Sequence, residues 1–74
     1  MQYTYDKLLG RIIEIFKTRA KFAAAMGLSE RSLSYKLNNK IYFKQSEIAK
    51  ACDLLSISPS EISDYFFTPK VQNF

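Results

Sequence analysis

The sequence predicts an all-α domain built from five short helices, and three observations lead there. Apolar residues recur at i, i+3, i+4 and i+7 in two stretches, around 8–16 and 48–55. A lone glycine followed by a capping serine, Gly27-Leu28-Ser29, separates two further helical stretches. The string ISPSEI, residues 57–62, has the residue order of a helix start. No stretch alternates convincingly at the two-residue period of a strand.

In the first helix Leu8, Ile12 and Ile15 form one stripe and Leu9, Ile13 and Phe16 the next, while Lys7, Gly10, Arg11, Glu14 and Lys17 take the opposite face. This is a half-buried helix with a wide apolar side, and Asp6 is its expected N-cap. Gly10 costs ~1 kcal/mol relative to alanine, but on the polar face it disturbs no packing. The second helix, 19–26, is capped by Thr18. Its Ala23-Ala24-Ala25 run allows close approach of a neighbour, and Phe22 and Met26 give it an apolar edge. Gly27 then stands where a left-handed residue ends a helix. Ser29 caps the third helix, which runs to Leu37 and stops at Asn38-Asn39, residues tolerant of left-handed geometry.

The fourth helix, roughly 44–55, buries Ile48, Ala51, Cys52 and Leu55. The fifth starts at Ser58, with Pro59 in the first turn, Glu61 closing a capping box, and Ile57 and Ile62 forming a hydrophobic staple. It ends near DYFF, because Pro69 disfavours helix at Thr68. Two aromatic-rich segments flank these helices. Of Ile41-Tyr42-Phe43, one or two residues are expected to plug the core and another to join a partner-facing patch. Of Tyr65, Phe66, Phe67 and Phe74, at least two should close the bottom of the core, with a dimer contact as the alternative. For the last residues, TPKVQNF, three readings stay open: a frayed tail, an extended segment on the core, or a contact with another chain.

Composition narrows the function. A chain of 74 residues with 47% apolar content, two glycines and two prolines is one globular domain, 1–74, with 67–74 as a tail. With one cysteine and no histidine there is no internal disulfide and no zinc-ligand set. Cys52 reads as a small buried residue suited to a reducing cytosol. No apolar run approaches the ~18 residues of a membrane helix, and the start MQYTYDKLLGR lacks the plan of a signal peptide. A cytoplasmic protein is expected, with no membrane association. The seven carboxylates form no paired constellation, and neither the serines nor Cys52 has a histidine to activate it. Enzymatic activity, a cofactor and a metal are therefore not expected.

The net charge of +4 is unevenly spread. Residues 17–44 hold Lys17, Arg19, Lys21, Arg31, Lys36, Lys40 and Lys44 against Glu30 alone, whereas the segments before and after are neutral or acidic. Such asymmetry points to a polyanionic or acidic partner, with a lysine-rich solvated face as the alternative. On a helical wheel of residues 29–38, Leu33 and Leu37 point inward, and Arg31, Ser34, Tyr35 and Asn38 point outward. Two helices joined by a tight glycine turn cross steeply, so the second projects as a ridge.

Such a ridge has the dimensions of a DNA major groove. Arg31 could read guanine and Asn38 adenine; Ser29, Ser32 and the first helical amides could hold phosphate. Arg19, Lys21, Lys36, Lys40 and Lys44 would supply sequence-independent attraction. Glu30 reads best as a first-turn carboxylate favoured by the helix dipole. Acceptance from cytosine and pairing with a basic partner residue are its alternatives. Tyr35 fits a protein interface, where tyrosine is enriched, at least as well as a groove.

The order Phe22-Ala23, Met26-Gly27-Leu28-Ser29, Ser32-Leu33-Ser34 and Leu37-Asn38 resembles the helix-turn-helix of the phage Cro and CI repressor family. In that likeness Ala23 is the small residue of the first motif helix, Gly27 the turn glycine, and Leu28 and Leu33 the buried positions. The resemblance implies a five-helix bundle of the lambda-repressor-like DNA-binding type, with its motif at about 19–38. It also implies base-facing Ser29, Glu30, Arg31 and Tyr35, and Arg19 near phosphate. At finer grain, YDKLLGRIIEIF, GLSERSLSYKLNNK and KQSEI look like the small modulator-of-repression antirepressors of temperate phages of Gram-positive bacteria. For that group the resemblance implies that the same surface binds the N-terminal, DNA-binding domain of a partner CI repressor in the bacterial host. Two functions thus stand open: an antirepressor, which the whole-chain resemblance, modest charge, Glu30 and Tyr35 favour, and a Cro-like repressor that forms a homodimer on operator DNA.

Overall fold

Apolar spacing becomes five helices in the computed structural model, which describes residues 2–70. α1 spans Asp6–Phe16, α2 Arg19–Met26, α3 Glu30–Leu37, α4 Gln45–Leu55 and α5 Ile62–Phe66, the last entered through a 3-10 turn at Pro59–Glu61. No strand is present among the described residues. The core takes Leu8 and Ile12 from α1, Phe22, Ala23 and Met26 from α2, Leu33 from α3, and Ala51, Cys52 and Leu55 from α4. Tyr65 and Phe66 close it from α5, as the aromatic count required, while Phe67 stays 45% exposed. Edge-to-face ring pairs knit it together: Phe16 with Phe22 at 5.3 Å, Tyr5 with Phe43 at 5.4 Å, and Phe43 with Phe66 at 5.4 Å.

α1 departs from expectation at two points. Asp6 is not the N-cap: Tyr5 holds that position without a side-chain bond, and Asp6 is the first helical residue, favoured there by the helix dipole. The apolar side is also narrower than the two stripes implied, since Ile13 and Ile15 are 42% and 39% exposed. At about 100° per residue, the two lie on opposite flanks of the arc centred on Tyr5, Leu8, Ile12 and Phe16. A chain this small has no second layer to cover them. Arg11, on the edge of the same helix, donates from Nε to the Leu55 carbonyl at 2.9 Å and from Nη1 to Glu14 at 2.8 Å. It thereby satisfies a carbonyl that the end of α4 leaves free.

Most helix ends follow the sequence. Thr18 accepts the Lys21 amide at 3.1 Å, and Ser29 accepts the Ser32 amide at 3.0 Å. At the start of α5 Glu61 accepts both the Ser58 amide (3.2 Å) and the Ser58 hydroxyl (2.9 Å). Glu61 thus closes the capping box that the order ISPSEI predicts. Ile57 is buried and Ile62 packs against the core, as a staple requires.

After α3 it is Asn39, at φ 63°, that adopts the left-handed conformation. Its side chain accepts the Tyr3 amide at 3.0 Å and donates to the Tyr3 carbonyl at 2.8 Å. The amino-terminal segment held this way runs beside the carboxy-terminal one. Thr4 donates to the Thr68 carbonyl at 2.9 Å and Lys70 to the Gln2 carbonyl at 3.0 Å, flanking an isolated antiparallel bridge between Tyr3 and Pro69. Residues 68–70 therefore take the extended option among the three left open. Residues 71–74, with Phe74, lie outside the described residues.

Candidate functional site: the presented face of α3

α3 is positioned by what precedes it. Gly27 sits at φ 75°, ψ 25°, left-handed, which glycine adopts at little cost. The Gly27 amide donates to the Ala24 carbonyl at 3.1 Å and the Leu28 amide to Ala23 at 2.9 Å, so the end of α2 is satisfied within the turn. Leu28 and Leu37 pack against the core, and Leu33 is 1% exposed. The inward anchoring of α3 is as the wheel required.

Opposite those leucines, Arg31 and Asn38 are exposed, Tyr35 is 42% exposed and Ser34 half-buried. Glu30 is exposed in the first turn. The Ser29 and Ser32 hydroxyls bond each other at 3.0 Å. Asn38 turns its amide back onto its own helix, donating to the Ser34 carbonyl at 2.9 Å and to the Ser34 hydroxyl at 3.3 Å. A partner that engages Asn38 must displace those bonds; among the described residues the Arg31 and Tyr35 side chains form no such hydrogen bonds. Arg19 and Lys21 are exposed at the start of α2, Lys40 in the loop after α3, and Lys44 at the N-cap of α4.

Lys36 is the correction. It is 5% exposed, with Nζ 3.0 Å from Glu47 Oε1 and 3.2 Å from the Tyr42 carbonyl, and 6.0 Å over the Phe43 ring. A lysine so engaged is not available to phosphate or to an acidic partner. The sequence held the signal: Leu33, Lys36 and Leu37 stand at i, i+3 and i+4, the inward set. Glu47 also accepts the Lys44 backbone amide at 2.9 Å. Burial alone would raise its carboxyl, but the Lys44 amide and the Lys36 ammonium outweigh that and hold it below the ordinary value.

The apolar connector divides as expected in kind and exceeds expectation in extent. Phe43 plugs the core, while Ile41 at 43% and Tyr42 at 76% both face solvent. Chemically, the α3 face offers a guanidinium, a phenol, hydroxyls and a carboxylate on a rigid helix. That is an inventory for recognition. No group of three potential metal-ligating side chains is found among the described residues, and no helix is long and apolar enough to cross a membrane.

The class of protein that this fold belongs to is given by its family. The chain belongs to the family described as protein of unknown function DUF739, which matches residues 1–69. It is similar, at 50% identity and a TM-score of 0.80, to the modulator of repression (MOR) of the temperate bacteriophage TP901-1 from Lactococcus lactis, known as a solution structure. The likeness covers 97% of each chain. No curated protein sequence matches. A homologue of this chain over nearly its whole length is therefore a phage regulatory protein.

Proposed function

We propose that this protein is an antirepressor of a phage lysis–lysogeny switch. In this reading α2 and α3 are a helix-turn-helix of the Cro and CI type, and the outward face of α3 captures the DNA-binding domain of a cognate CI-type repressor. The operator then has no access to that domain. One observation supports it above the rest: Arg31 and Tyr35 are exposed on a helix pinned by Leu33, in a chain half identical to a modulator of repression. Ser29, Glu30 and Ser34 border that pair, and no catalytic step is involved.

Charge decides which contacts dominate. A surface that binds operator DNA must itself be basic, and this chain carries +4. Arg19, Lys21, Lys40 and Lys44, and Arg31 on α3 itself, therefore oppose the approach of such a surface unless they meet isolated carboxylates on it. Glu30 and the uncharged side chains favour it.

The same five cations support the second reading, a Cro-like homodimer bound directly to operator DNA. The engaged amide of Asn38, the withdrawn Lys36 and the carboxylate of Glu30 favour it less. An anisotropy titration separates the two. Labelled operator DNA should stay unbound by this protein alone, and a preformed complex of DNA with the cognate repressor should dissociate as the protein is added. Tight, sequence-specific binding of DNA by the protein alone would reverse the order.

A further inference from the structure

We infer that the connector after α3, through Ile41 and Tyr42, is a second contact element. It supplies apolar contact area for the captured repressor domain; the inference rests on the antirepressor reading. Three of the exposed large apolar side chains among the described residues, Tyr35, Ile41 and Tyr42, fall within residues 35–42, at 42%, 43% and 76% exposure. Two bonds join the connector to the helix. The Lys40 amide donates to the Tyr35 carbonyl at 2.8 Å, and buried Lys36 reaches from α3 to the Tyr42 carbonyl at 3.2 Å. The backbone that carries Ile41 and Tyr42 is thus fastened to α3 at both sides.

The chemistry of the occupant follows from charge and shape. Lys40 and Lys44 flank the connector, so a basic repressor surface gains nothing from ion pairs there. Its affinity must come from desolvated, uncharged area, where aromatic residues serve as anchors. A phosphate backbone offers no such area. Nor is this a small-molecule site: the cleft beside Tyr42, walled by Tyr3, Phe43, Ile48 and Phe67, holds about 40 Å³, far below a ligand pocket. The occupant is therefore an uncharged or apolar patch on the same domain that α3 engages.

Calorimetric titration of the full chain with the purified DNA-binding domain of the cognate CI-type repressor tests this. Y42S and I41S should each weaken capture on the order of tenfold, with an unchanged Tm because both side chains are exposed. Y42F should bind as the unsubstituted protein does. Equal affinity of Y42S, I41S and the unsubstituted protein, with Y35A alone weakened, would overturn the connector's role and leave the capture reading intact. Loss of affinity in Y42F as large as in Y42S would also overturn it, since the hydroxyl and not the apolar area would then be at work. A dimer in sedimentation that Y42S converts to monomer would assign the strip to a second copy. No binding by the unsubstituted protein would end both readings together.

Discussion

The Lys36 ammonium lies 3.0 Å from the Glu47 carboxylate and fastens α3 to the start of α4. The pair is asymmetric: the lysine side chain is 6% exposed and the glutamate 15%. Removing the glutamate strands a buried cation with only the Tyr42 carbonyl, whereas removing the lysine leaves a carboxylate still bonded to the Lys44 amide. Glu47→Ala should therefore cost ~3 kcal/mol, and Lys36→Met about 1 kcal/mol. Urea unfolding of the two variants checks the order.

The same pair gives a pH dependence with a fixed sign. The Glu47 carboxyl is held below its ordinary value of 4.5 in the folded chain. Its stabilising contribution is complete above that value and is lost as pH falls through the lower, folded one. The stability difference between the unsubstituted protein and Glu47→Gln should accordingly be constant between pH 7 and 5 and shrink below 4.5. Denaturant midpoints at three pH values measure it.

A third expectation concerns backbone strain. Lys17 ends α1 at φ 74°, ψ −34°, a region that L side chains seldom adopt, although its amide is satisfied by the Ile13 carbonyl. Lys17→Gly should relieve this and stabilise the domain by about 0.5–1 kcal/mol. The substitution also removes the contact of the lysine Nζ with the Glu14 carbonyl, which is exposed and contributes little. A thermal melt should show a rise of a few degrees.

Salt separates the two functional readings without any substitution. Operator binding releases counterions, so its affinity falls steeply with added salt. Capture of a basic repressor domain by a chain of charge +4 should hold or strengthen as salt screens their repulsion. Titrations at low and moderate ionic strength show which slope the protein follows.

Much of the fold was legible in local chemistry. Thr18, Gly27 and Ser29 fixed two helix starts and one end because their side chains, or the lack of one, act on neighbouring amides. What escaped was set by distant partners. Spacing puts Lys36 on the inward face, but the carboxylate that neutralises it there, Glu47, comes from another helix. Asn39, with its paired bonds to Tyr3, depends on a segment far away in sequence. Ile13 and Ile15 are apolar at helical spacing, yet the domain has too few elements to cover them. On the candidate face, the orientation of Arg31 and Tyr35 followed from spacing, whereas the engagement of Asn38 with Ser34 and the double exposure of Ile41 and Tyr42 needed coordinates.

The outward side of α3 as the docking surface is the central claim, and amide chemical-shift mapping tests it most directly. On addition of the unlabelled DNA-binding domain of the cognate repressor, the amides of Arg31, Ser34, Tyr35 and Asn38 should shift or broaden, while those of Ser63 and Asp64 on α5 stay in place. Perturbations confined to α4 and α5, with α3 unmoved, would contradict it.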